Sequence, residues 1–333
     1  MTRLGKAIVA VLVSLAPLAL AQDYKVTSHW KVGGTGGWDY LLSDDAAHRL
    51  YITHGPRVEV LDTTSGKPVG AVTGLKGTHG VALNPDGKTG YISDGGANEI
   101  VVFNRGDLSV ITHVAAGTNP DGITFEPKTR TVWAFNGRSN NASVMETKGN
   151  TIAGTIALPG KPEFPQADGQ GNVFVNIEDK SEIVKLSADG MKVLDTWPLT
   201  GCESPSGMAI DRAGHRLFSV CDGGKMAVTN YDTGKVITLA SIGDGPDAAF
   251  YDPQRKLAFS SNGGDGTLTV IDTSKPGYPV LQSVQTAKRA RTMAYNVMTG
   301  AAYLTTASFA PPAAGAGRPM AVPDSFEVLV VSK

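Results

Sequence analysis

The chain has 333 residues, with 30 basic and 31 acidic side chains and a formal net charge of −1 at pH 7. This near-neutral balance provides no general attraction for nucleic acid or anionic lipid, so we predict no nucleic-acid partner. Forty glycines, 7% aromatic residues and no helical spacing of apolar residues favour many short strands joined by tight turns.

The N-terminal segment has the features of an export signal. Arg3 and Lys6 precede an apolar run over residues 7–20, and small residues then stand where a signal peptidase requires them. The run is too short and too close to the N-terminus for a membrane-spanning helix. We therefore predict a signal peptide over residues 1–21, a mature protein that begins at Gln22, a periplasmic or secreted location, and no membrane anchor.

A unit of about 40 residues then recurs seven times along the chain. Each unit contains an aromatic residue that ends a turn and opens a strand, and successive aromatic residues are 40, 42, 41, 44, 41 and 44 residues apart. These residues are Tyr51, Tyr91, Trp133, Phe174, Phe218, Phe259 and Tyr303. Each unit has room for four strands. The repeat predicts an all-β fold, a single seven-bladed β-propeller domain of four-stranded blades over residues 22–333. Two packed β-sandwiches are the alternative fold.

The seventh unit indicates how the ring closes. After Tyr303 it contains one more strand, within residues 326–331, and no fourth strand follows. The N-terminal segment at residues 25–32 has the composition of a strand. We predict that this segment joins the last blade and closes the propeller, which would also protect the edges of both strands.

Three segments resemble the YVTN β-propeller repeat family, which is common among exported bacterial proteins. They are Tyr51-Ile-Thr-His54, Tyr91-Ile-Ser-Asp94 and Phe259-Ser-Ser-Asn262, and Asp-Thr-Gly-Lys-type turns follow. The resemblance covers nearly the whole mature chain and implies the seven-bladed fold. Related propellers include binding modules, lactone hydrolases and partners of cofactor-containing enzymes, so the resemblance leaves the activity open.

One face of such a propeller surrounds the mouth of the central channel, where ligands usually bind. The loops that lead into each first strand lie there, together with the loops between second and third strands. The former loops contribute Asp39, His79, Asp121, Glu163, Ser206, Asp247 and Arg291. The latter loops contribute His54, Arg57, Asp94, Asn136, Glu178, Cys221, Asp222, Asn262 and Asp265. We predict a ligand-binding face formed by His54, Arg57, His79, Asp94, Asp121, Asp247 and Arg291.

Two histidines on adjacent blades form the sharpest candidate cluster at this mouth. His54 and His79 are flanked by Asp39, Asp94 and Asp121, and imidazoles with carboxylates suit Zn²⁺ or Cu²⁺. Such a metal with an open coordination position would activate water. The alternative is that these residues cap turn N–H groups and link neighbouring blades. A divalent metal is the one cofactor that the sequence suggests, and the acidic positions would also suit Ca²⁺ or a cationic ligand.

A basic cluster and a long loop lie on the same predicted face. Lys288, Arg289 and Arg291 lead into the seventh blade, and Arg57 is expected beside them across the closure. Together they would clamp a carboxylate or phosphate, or they form a solvated loop that balances nearby acids. The loop at residues 307–324 is either a lid over the mouth or an irregular insertion.

Cys202 and Cys221 are the two cysteines of the chain. Cys202 precedes the first strand of the fifth blade and Cys221 ends its second strand. A cysteine pair in an exported protein favours a disulfide. Closing a loop of this length would stabilise the fold by about 3 kcal/mol in the chain-entropy model.

The sequence contains no Gly-x-Ser-x-Gly elbow and no serine or cysteine with an evident catalytic base. The leading hypothesis is therefore a non-catalytic binding or scaffold propeller that holds a small molecule, a metal or a periplasmic protein partner at the channel mouth, and that is a monomer. The alternatives are a lactonase-like hydrolase, with His54 or His79 as base or metal ligand, and an accessory subunit of a periplasmic quinone or haem enzyme.

Overall fold

The computed structural model describes residues 23–311 and 319–333. Within these residues the chain forms 28 β-strands and one short 3₁₀ helix, Glu178–Lys180. The strands make seven antiparallel sheets of four strands each. The predicted signal peptide, residues 1–21, lies outside the described residues. No helix in the described ranges is long and apolar enough to cross a membrane.

Each sheet is one blade, with its strands ordered from the channel outwards. The first strands are β2 (Trp38–Asp44), β6 (Thr78–Leu83), β10 (Pro120–Glu126), β14 (Pro162–Ala167), β18 (Met208–Asp211), β22 (Pro246–Asp252) and β26 (Met293–Asn296). The second strands are β3 (Arg49–His54), β7 (Thr89–Asp94), β11 (Thr131–Asn136), β15 (Asn172–Ile177), β19 (Arg216–Cys221), β23 (Leu257–Asn262) and β27 (Ala301–Thr306). The third strands are β4 (Arg57–Asp62), β8 (Glu99–Asn104), β12 (Asn141–Glu146), β16 (Glu182–Ser187), β20 (Lys225–Asn230), β24 (Thr267–Asp272) and β28 (Glu327–Ser332). The outer strands are β5 (Pro68–Val72), β9 (Val110–Ala115), β13 (Thr151–Ala157), β17 (Lys192–Pro198), β21 (Val236–Ser241), β25 (Val280–Gln285) and β1 (Lys25–Lys31).

The blades close into a ring, which confirms the predicted propeller and rules out two packed sandwiches. Each inner strand contacts the inner strand of the next blade, and β26 of the last blade contacts β2 of the first. The last blade has the strand order β1-β28-β27-β26. Lys25 pairs with Ser332 and Lys31 with Glu327, so the N-terminal strand supplies the outer strand of the seventh blade as predicted.

The aromatic residues that mark the repeat explain why the blades pack together. All seven lie on second strands and are at most 2% exposed. Tyr303, for example, packs in one cluster with Leu41, Leu50 and Val328, which brings together the last blade and the first. Burying a side chain of this size contributes about 1.5–3 kcal/mol, and a four-stranded sheet buries both faces only against neighbouring blades.

The predicted disulfide is confirmed. Cys202 is bonded to Cys221, with the two Cα atoms 5.4 Å apart. An antiparallel bridge between Glu203 and Asp222 lies next to the disulfide. Together these contacts fix the loop that leads into the fifth blade against the end of β19.

Candidate functional site at the channel mouth

Seven side chains, one from each blade, stand at the start of the inner strands. We call them the mouth ring: Asp39, His79, Asp121, Glu163, Ser206, Asp247 and Arg291. Five of them are the second residue of their strand, and the serine and the arginine precede their strands by two residues. The four carboxylate side chains are 13–19% exposed. The repeat therefore brings four acids and two basic side chains to one end of the channel.

Glycines next to the ring allow the inner strands to approach closely. A Cβ atom on Gly122 would lie 2.5 Å from the carbonyl oxygen of Glu163, and one on Gly207 would lie 2.5 Å from that of Asp247. Side chains do not tolerate such distances, so glycine is required at both positions. The close approach carries the neighbouring ring residues toward one another.

Hydrogen bonds from the second strands fix the backbone of the ring. Ser93 Oγ donates to the carbonyl oxygen of Asp121 at 2.5 Å and accepts the N–H of Gly80 at 2.8 Å. In the fourth blade Asn176 Nδ2 donates to the carbonyl oxygen of Ser206 at 2.9 Å. In the bonds to Asp121 and Ser206 the donor and the acceptor lie on adjacent blades, so these bonds link the blades. Because the donors are buried, the bonds are strong and hold the backbone of the ring in place.

His79 lies between two carboxylates from the blades on either side. Its Nδ1 is 2.7 Å from Asp39 Oδ2 and 3.7 Å from Asp121 Oδ1. Burial lowers the pKa of His79, but the hydrogen bond to Asp39 and the charges of Asp121, Asp39 and Glu163 outweigh burial and raise the pKa to about 9. At neutral pH the imidazole is therefore a cation that neutralises part of the acidic ring.

Gly95 provides the space that the imidazole occupies. A Cβ atom at this position would lie 2.6 Å from Cδ2 and 2.7 Å from Nε2 of His79. A side chain at position 95 would therefore displace the His79 imidazole.

The other acids of the ring are held in unfavourable surroundings for negative charge. Burial, followed by the charge of Asp39, raises the pKa of Asp121. Burial, followed by the charge of Asp121, also raises the pKa of Glu163, although Lys161 Nζ lies 2.6 Å from its carboxylate. Lys161 also pairs with Glu178. One lysine is therefore shared between two acids.

Asp247 and Arg291 form an ion pair on the opposite side of the ring. Burial nevertheless raises the pKa of Asp247 to about 7, and the charges of Asp39 and Asp121 add to this increase. Arg291 remains 45% exposed. The cations of the ring therefore do not fully compensate for the four carboxylates.

Tyr40 lies beneath these acids, on β2. Burial, and then the negative charges of Asp121, Glu163, Asp39 and Asp247, raise the pKa of its hydroxyl well above the usual range, so this hydroxyl stays protonated. The hydroxyl lowers the pKa of the nearby Asp121 carboxylate, and the aromatic ring packs edge-on against Phe164 with centroids 4.9 Å apart. Sequence reasoning missed Tyr40 and Lys161. A signal was present for Tyr40, because three other blades have glycine at the same position, for example Gly80.

His54 is not part of the cluster around His79. It ends β3, is 2% exposed and packs on Phe326 with ring centroids 4.2 Å apart. Burial, followed by the charge of Arg57, lowers the pKa of His54. The structure therefore does not bring the predicted His54–His79 ligand pair into one cluster.

Asp94 caps a turn, as the alternative interpretation expected. Its carboxylate accepts the backbone N–H of Lys76 at 2.9 Å and that of Gly77 at 2.7 Å. Asp265 similarly accepts the N–H of Asp244 at 2.9 Å. Asp94 and Asp265 thus stabilise loops, whereas the acids at the start of inner strands form the ring.

The predicted basic cluster is divided among separate partners. Arg57 lies 3.3 Å from Glu59, and Arg291 is paired with Asp247. Arg289 stacks over the ring of Phe309 at 4.7 Å. The structure therefore does not bring these guanidinium groups together around one anion.

The described parts of the loop at residues 307–324 are held together by antiparallel backbone pairing. Phe309 and Ala321 form an antiparallel bridge. The central residues 312–318 lie outside the described residues, and the role of this loop as a lid stays a prediction.

Among the described residues, one group of acidic, histidine or cysteine side chains has a spacing that suits a metal ion. It consists of Asp39, His79 and Asp121, with one ligand atom from each and all three atoms within 4.8 Å of one another. Asp121 Oδ1 is buried and has no hydrogen-bond partner in the described structure. The structure thus pairs His79 with two carboxylates and not with the second histidine.

The fold and the mouth ring together define an all-β, seven-bladed propeller with a charged site at one end of its channel. Residues 47–159 match the family model described as "Lactonase, 7-bladed beta-propeller". The matched segment covers less than half of the chain and includes His79 and Asp121. A comparison with curated proteins finds no match.

Many solved structures have a similar fold, and two of them show the extent of the similarity. One is hydrazine synthase of Kuenenia stuttgartiensis, at a TM-score of 0.73 and 15% identity, covering 84% of this chain and 94% of that chain. The other is U3-55K, at a TM-score of 0.75 and 10% identity, covering 93% of this chain and 98% of that chain. At these identities the similarity concerns the fold alone.

Proposed function

We propose that this protein is a binding propeller that holds a divalent metal ion at the channel mouth, with Asp39, His79 and Asp121 as ligands. The observation that carries the proposal is the approach of their three ligand atoms to within 4.8 Å of one another. Two carboxylates and one imidazole form a donor set that suits Mn²⁺, Fe²⁺ or Zn²⁺.

The distances within the cluster support a metal site. Ligand atoms that surround an ion at about 2.0–2.2 Å are themselves about 3–3.5 Å apart. His79 Nδ1 lies 2.7 Å from one carboxylate oxygen and 3.7 Å from the other. Small shifts of the two aspartates would therefore complete the coordination, with the ion replacing the proton that His79 and Asp39 share.

The charge of the ring supports a cation as the ligand. Burial raises the pKa of Asp121, Glu163 and Asp247, which means that the ring has too little positive charge nearby to keep all its acids ionised at their ordinary pKa. A bound divalent ion would remove this repulsion. The same surroundings disfavour a small anion.

Lactone hydrolysis is the second candidate, and the match to the lactonase family model supports it. A general base must be unprotonated, whereas the raised pKa of His79, about 9, keeps its imidazole protonated at neutral pH. A hydrolase would therefore depend on the metal ion to activate water. Binding without turnover needs no such step, and for this reason we place it first.

Calorimetric titration of the mature, chelator-treated protein with Mn²⁺, Zn²⁺, Ni²⁺, Cu²⁺ and Ca²⁺ tests the proposal. We expect one site per chain, release of protons on binding, and a higher melting temperature. At 100 times the dissociation constant, the ion adds about 2.7 kcal/mol to the free energy of unfolding. Asp39→Asn, His79→Gln and Asp121→Asn should each weaken binding by at least about 10- to 100-fold, because loss of a direct ligand costs no less than loss of an outer-shell partner.

Matched controls separate this site from general charge effects. His113→Gln removes an exposed histidine 2.9 Å from Glu99, and Asp265→Asn removes an acid on the same face outside the ring. Both should bind the metal normally. Equal losses in the controls and the ring variants, or no metal binding by the parent protein, would remove the basis for the metal site. Metal-dependent turnover of a lactone panel that His79→Gln abolishes would favour the hydrolase.

We further propose that the protein acts after export to an oxidising compartment. The Cys202–Cys221 disulfide supports this location, because disulfides persist where thiols are not kept reduced. N-terminal sequencing of the protein recovered from the periplasm or medium should start at Gln22. Accumulation of the full-length chain in the cytoplasm would contradict export. The monomeric state, and a periplasmic protein as partner, stay predictions.

A further inference from the structure

Below the mouth ring the central channel contains a cavity of about 750 Å³. Its walls come from the inner strands of six blades: β2, β6, β10, β14, β22 and β26. Tyr40 and Phe164 line its upper end, while Asn84, Pro85 and Gly87 line it where first and second strands are joined. Because those turns lie at the other end of the inner strands, the cavity opens on the face opposite the mouth ring.

The walls of this channel cavity are mainly apolar. Leu42, Ile123, Phe125, Phe164 and Phe250 line it and remain partly exposed. Part of the apolar surface of these side chains therefore faces the open space of the cavity. Transfer of such surface away from water is favourable, so a ligand that covers it gains affinity.

Aromatic groups shape two sides of the cavity. Phe250 stacks on Tyr295 with centroids 5.0 Å apart, and Tyr40 packs edge-on against Phe164 at 4.9 Å. The Tyr295 hydroxyl is itself occupied, because it donates to Asp252 at 2.7 Å. The aromatic faces and edges are thus the main recognition elements, and they suit another ring.

The charged residues at the open end are paired within the protein. Asp44 is ion-paired with Arg105. Asp45 accepts the Ser43 hydroxyl at 2.5 Å and the backbone N–H of Val297 at 2.8 Å. Arg105, the one cationic side chain among the described residues that line the cavity, is therefore already paired, and an anionic ligand would have to give up its hydration without gaining an opposite charge.

We propose that the channel cavity binds one neutral, largely apolar molecule that contains aromatic or other rings, and that this ligand enters from the face opposite the mouth ring. The volume lies within the range of small-molecule sites, about 300–1,000 Å³. The apolar walls favour binding of such a molecule, and the rim, whose one described cation is paired, selects against anions. This site is distinct from the mouth ring, whose side chains do not line the cavity.

Two fluorescent probes with the same ring system test this proposal. N-phenyl-1-naphthylamine is neutral, and 8-anilino-1-naphthalenesulfonate has the same rings with an added sulfonate. We expect saturable fluorescence enhancement by the neutral probe, one molecule per chain, and binding of the anionic probe at least about tenfold weaker because of its desolvation cost. Chelator should leave both titrations unchanged, which separates this site from the metal site.

Variants locate the bound probe. Phe164→Ala removes an aromatic wall and should weaken binding of the neutral probe by about five- to tenfold. Thr124→Phe adds bulk to a partly exposed position on the wall. It should weaken binding of the neutral probe at least as much as Phe164→Ala does, or reduce the number of probe molecules bound per chain. Leu281→Ala is the control, because Leu281 is 58% exposed on the outer strand β25. Melting temperatures identify variants that do not fold, and Phe164→Leu is then the milder replacement.

The outcomes are decisive. Loss of binding in both cavity variants with normal binding in the control supports the proposal. The proposal is overturned if the parent protein gives no saturable signal, if both probes bind equally well, or if Leu281→Ala loses as much affinity as the cavity variants.

Discussion

The two ends of the central channel differ in chemistry although the same inner strands form both. At the mouth, the second residue of β2, β6, β10, β14 and β22 is ionisable. A few residues further along, the same strands present Leu42, Ile123, Phe125 and Phe250 to the channel cavity. The repeat determines where these side chains lie. Because the side chains near the start of a strand are charged and those further along are apolar, one strand contributes to a charged site and to an apolar site.

Tyr40 lies at the boundary between the two ends. Its hydroxyl lies near Asp121 of the mouth ring and lowers the pKa of that acid, and its aromatic ring packs against Phe164 at the top of the channel cavity. The two sites are therefore close in space but differ in the kind of ligand that they favour. Three predictions test this separation.

The largest expected effect is a loss of stability as the pH rises from 5 to 9, and it comes from the mouth ring. Asp247 has a pKa raised to about 7, so its contribution is fully present below its unfolded pKa of about 4 and is lost as pH rises through 7. His79 acts in the same direction, since its pKa of about 9 exceeds its unfolded value of about 6.5. We expect the metal-free protein to lose about 2–4 kcal/mol of unfolding free energy between pH 5 and pH 9.

Urea unfolding as a function of pH measures this loss. In Asp247→Asn the side chain cannot ionise, so the free energy of unfolding should depend less on pH. Asp265→Asn lies outside the ring and should leave this pH dependence unchanged. Binding of the neutral probe in the channel cavity should not vary over the range in which the protein stays folded. A parent protein as stable at pH 9 as at pH 5 would contradict the electrostatic description of the ring.

A smaller effect is expected when the position of His79 is changed without altering any ionisable group. Gly95→Ala would place a methyl group 2.6–2.7 Å from the imidazole and so displace it from Asp39 and Asp121. We expect about tenfold weaker metal binding, measured by calorimetry, with the melting temperature nearly unchanged. Gly37→Ala is the matched control, because a Cβ atom at Gly37 has no neighbour within 4 Å. Unchanged affinity in Gly95→Ala would mean that His79 is not positioned by this contact.

The smallest effect should follow from changing the boundary itself. Tyr40→Phe removes the hydroxyl that lowers the pKa of Asp121 but keeps the ring that packs on Phe164. The free energy of unfolding at neutral pH should fall by about 1 kcal/mol, as measured in urea. Binding of the neutral probe should stay within about twofold, because its wall is intact. A large loss of probe binding would show that the two ends of the channel do not act separately.

The fold could be predicted from the sequence because the residues that repeat are those that pack within and between neighbouring blades. Residues such as Tyr51 and Trp133 mark each second strand, and burial of these rings between blades follows from the spacing alone. Alignment of the seven repeat units also placed Asp39, His79 and Asp121 at one end of the channel. The distances between these three side chains, however, depend on how neighbouring blades pack, and a single sequence does not give those distances.

The prediction at His54 shows why equivalent positions do not ensure equivalent roles. The alignment put His54 on the same face as His79, but Phe326 of the last blade covers its ring. That contact depends on the closure of the propeller and joins residues far apart in the chain. Tyr40 was missed for a similar reason, since its role follows from acids contributed by other blades.

The closure of the seventh blade also determines when the molecule can be completed during synthesis. Thr27 and Ser332 are 3.0 Å apart through their hydroxyls and 305 positions apart in sequence. The entropy lost in joining such distant segments is large at first and is compensated only when the intervening blades hold the two ends together. The earliest strand of the fold therefore remains an unpaired edge until the last strand is available to pair with it. A nascent chain that stops before β28 would leave two open edges exposed to aggregation.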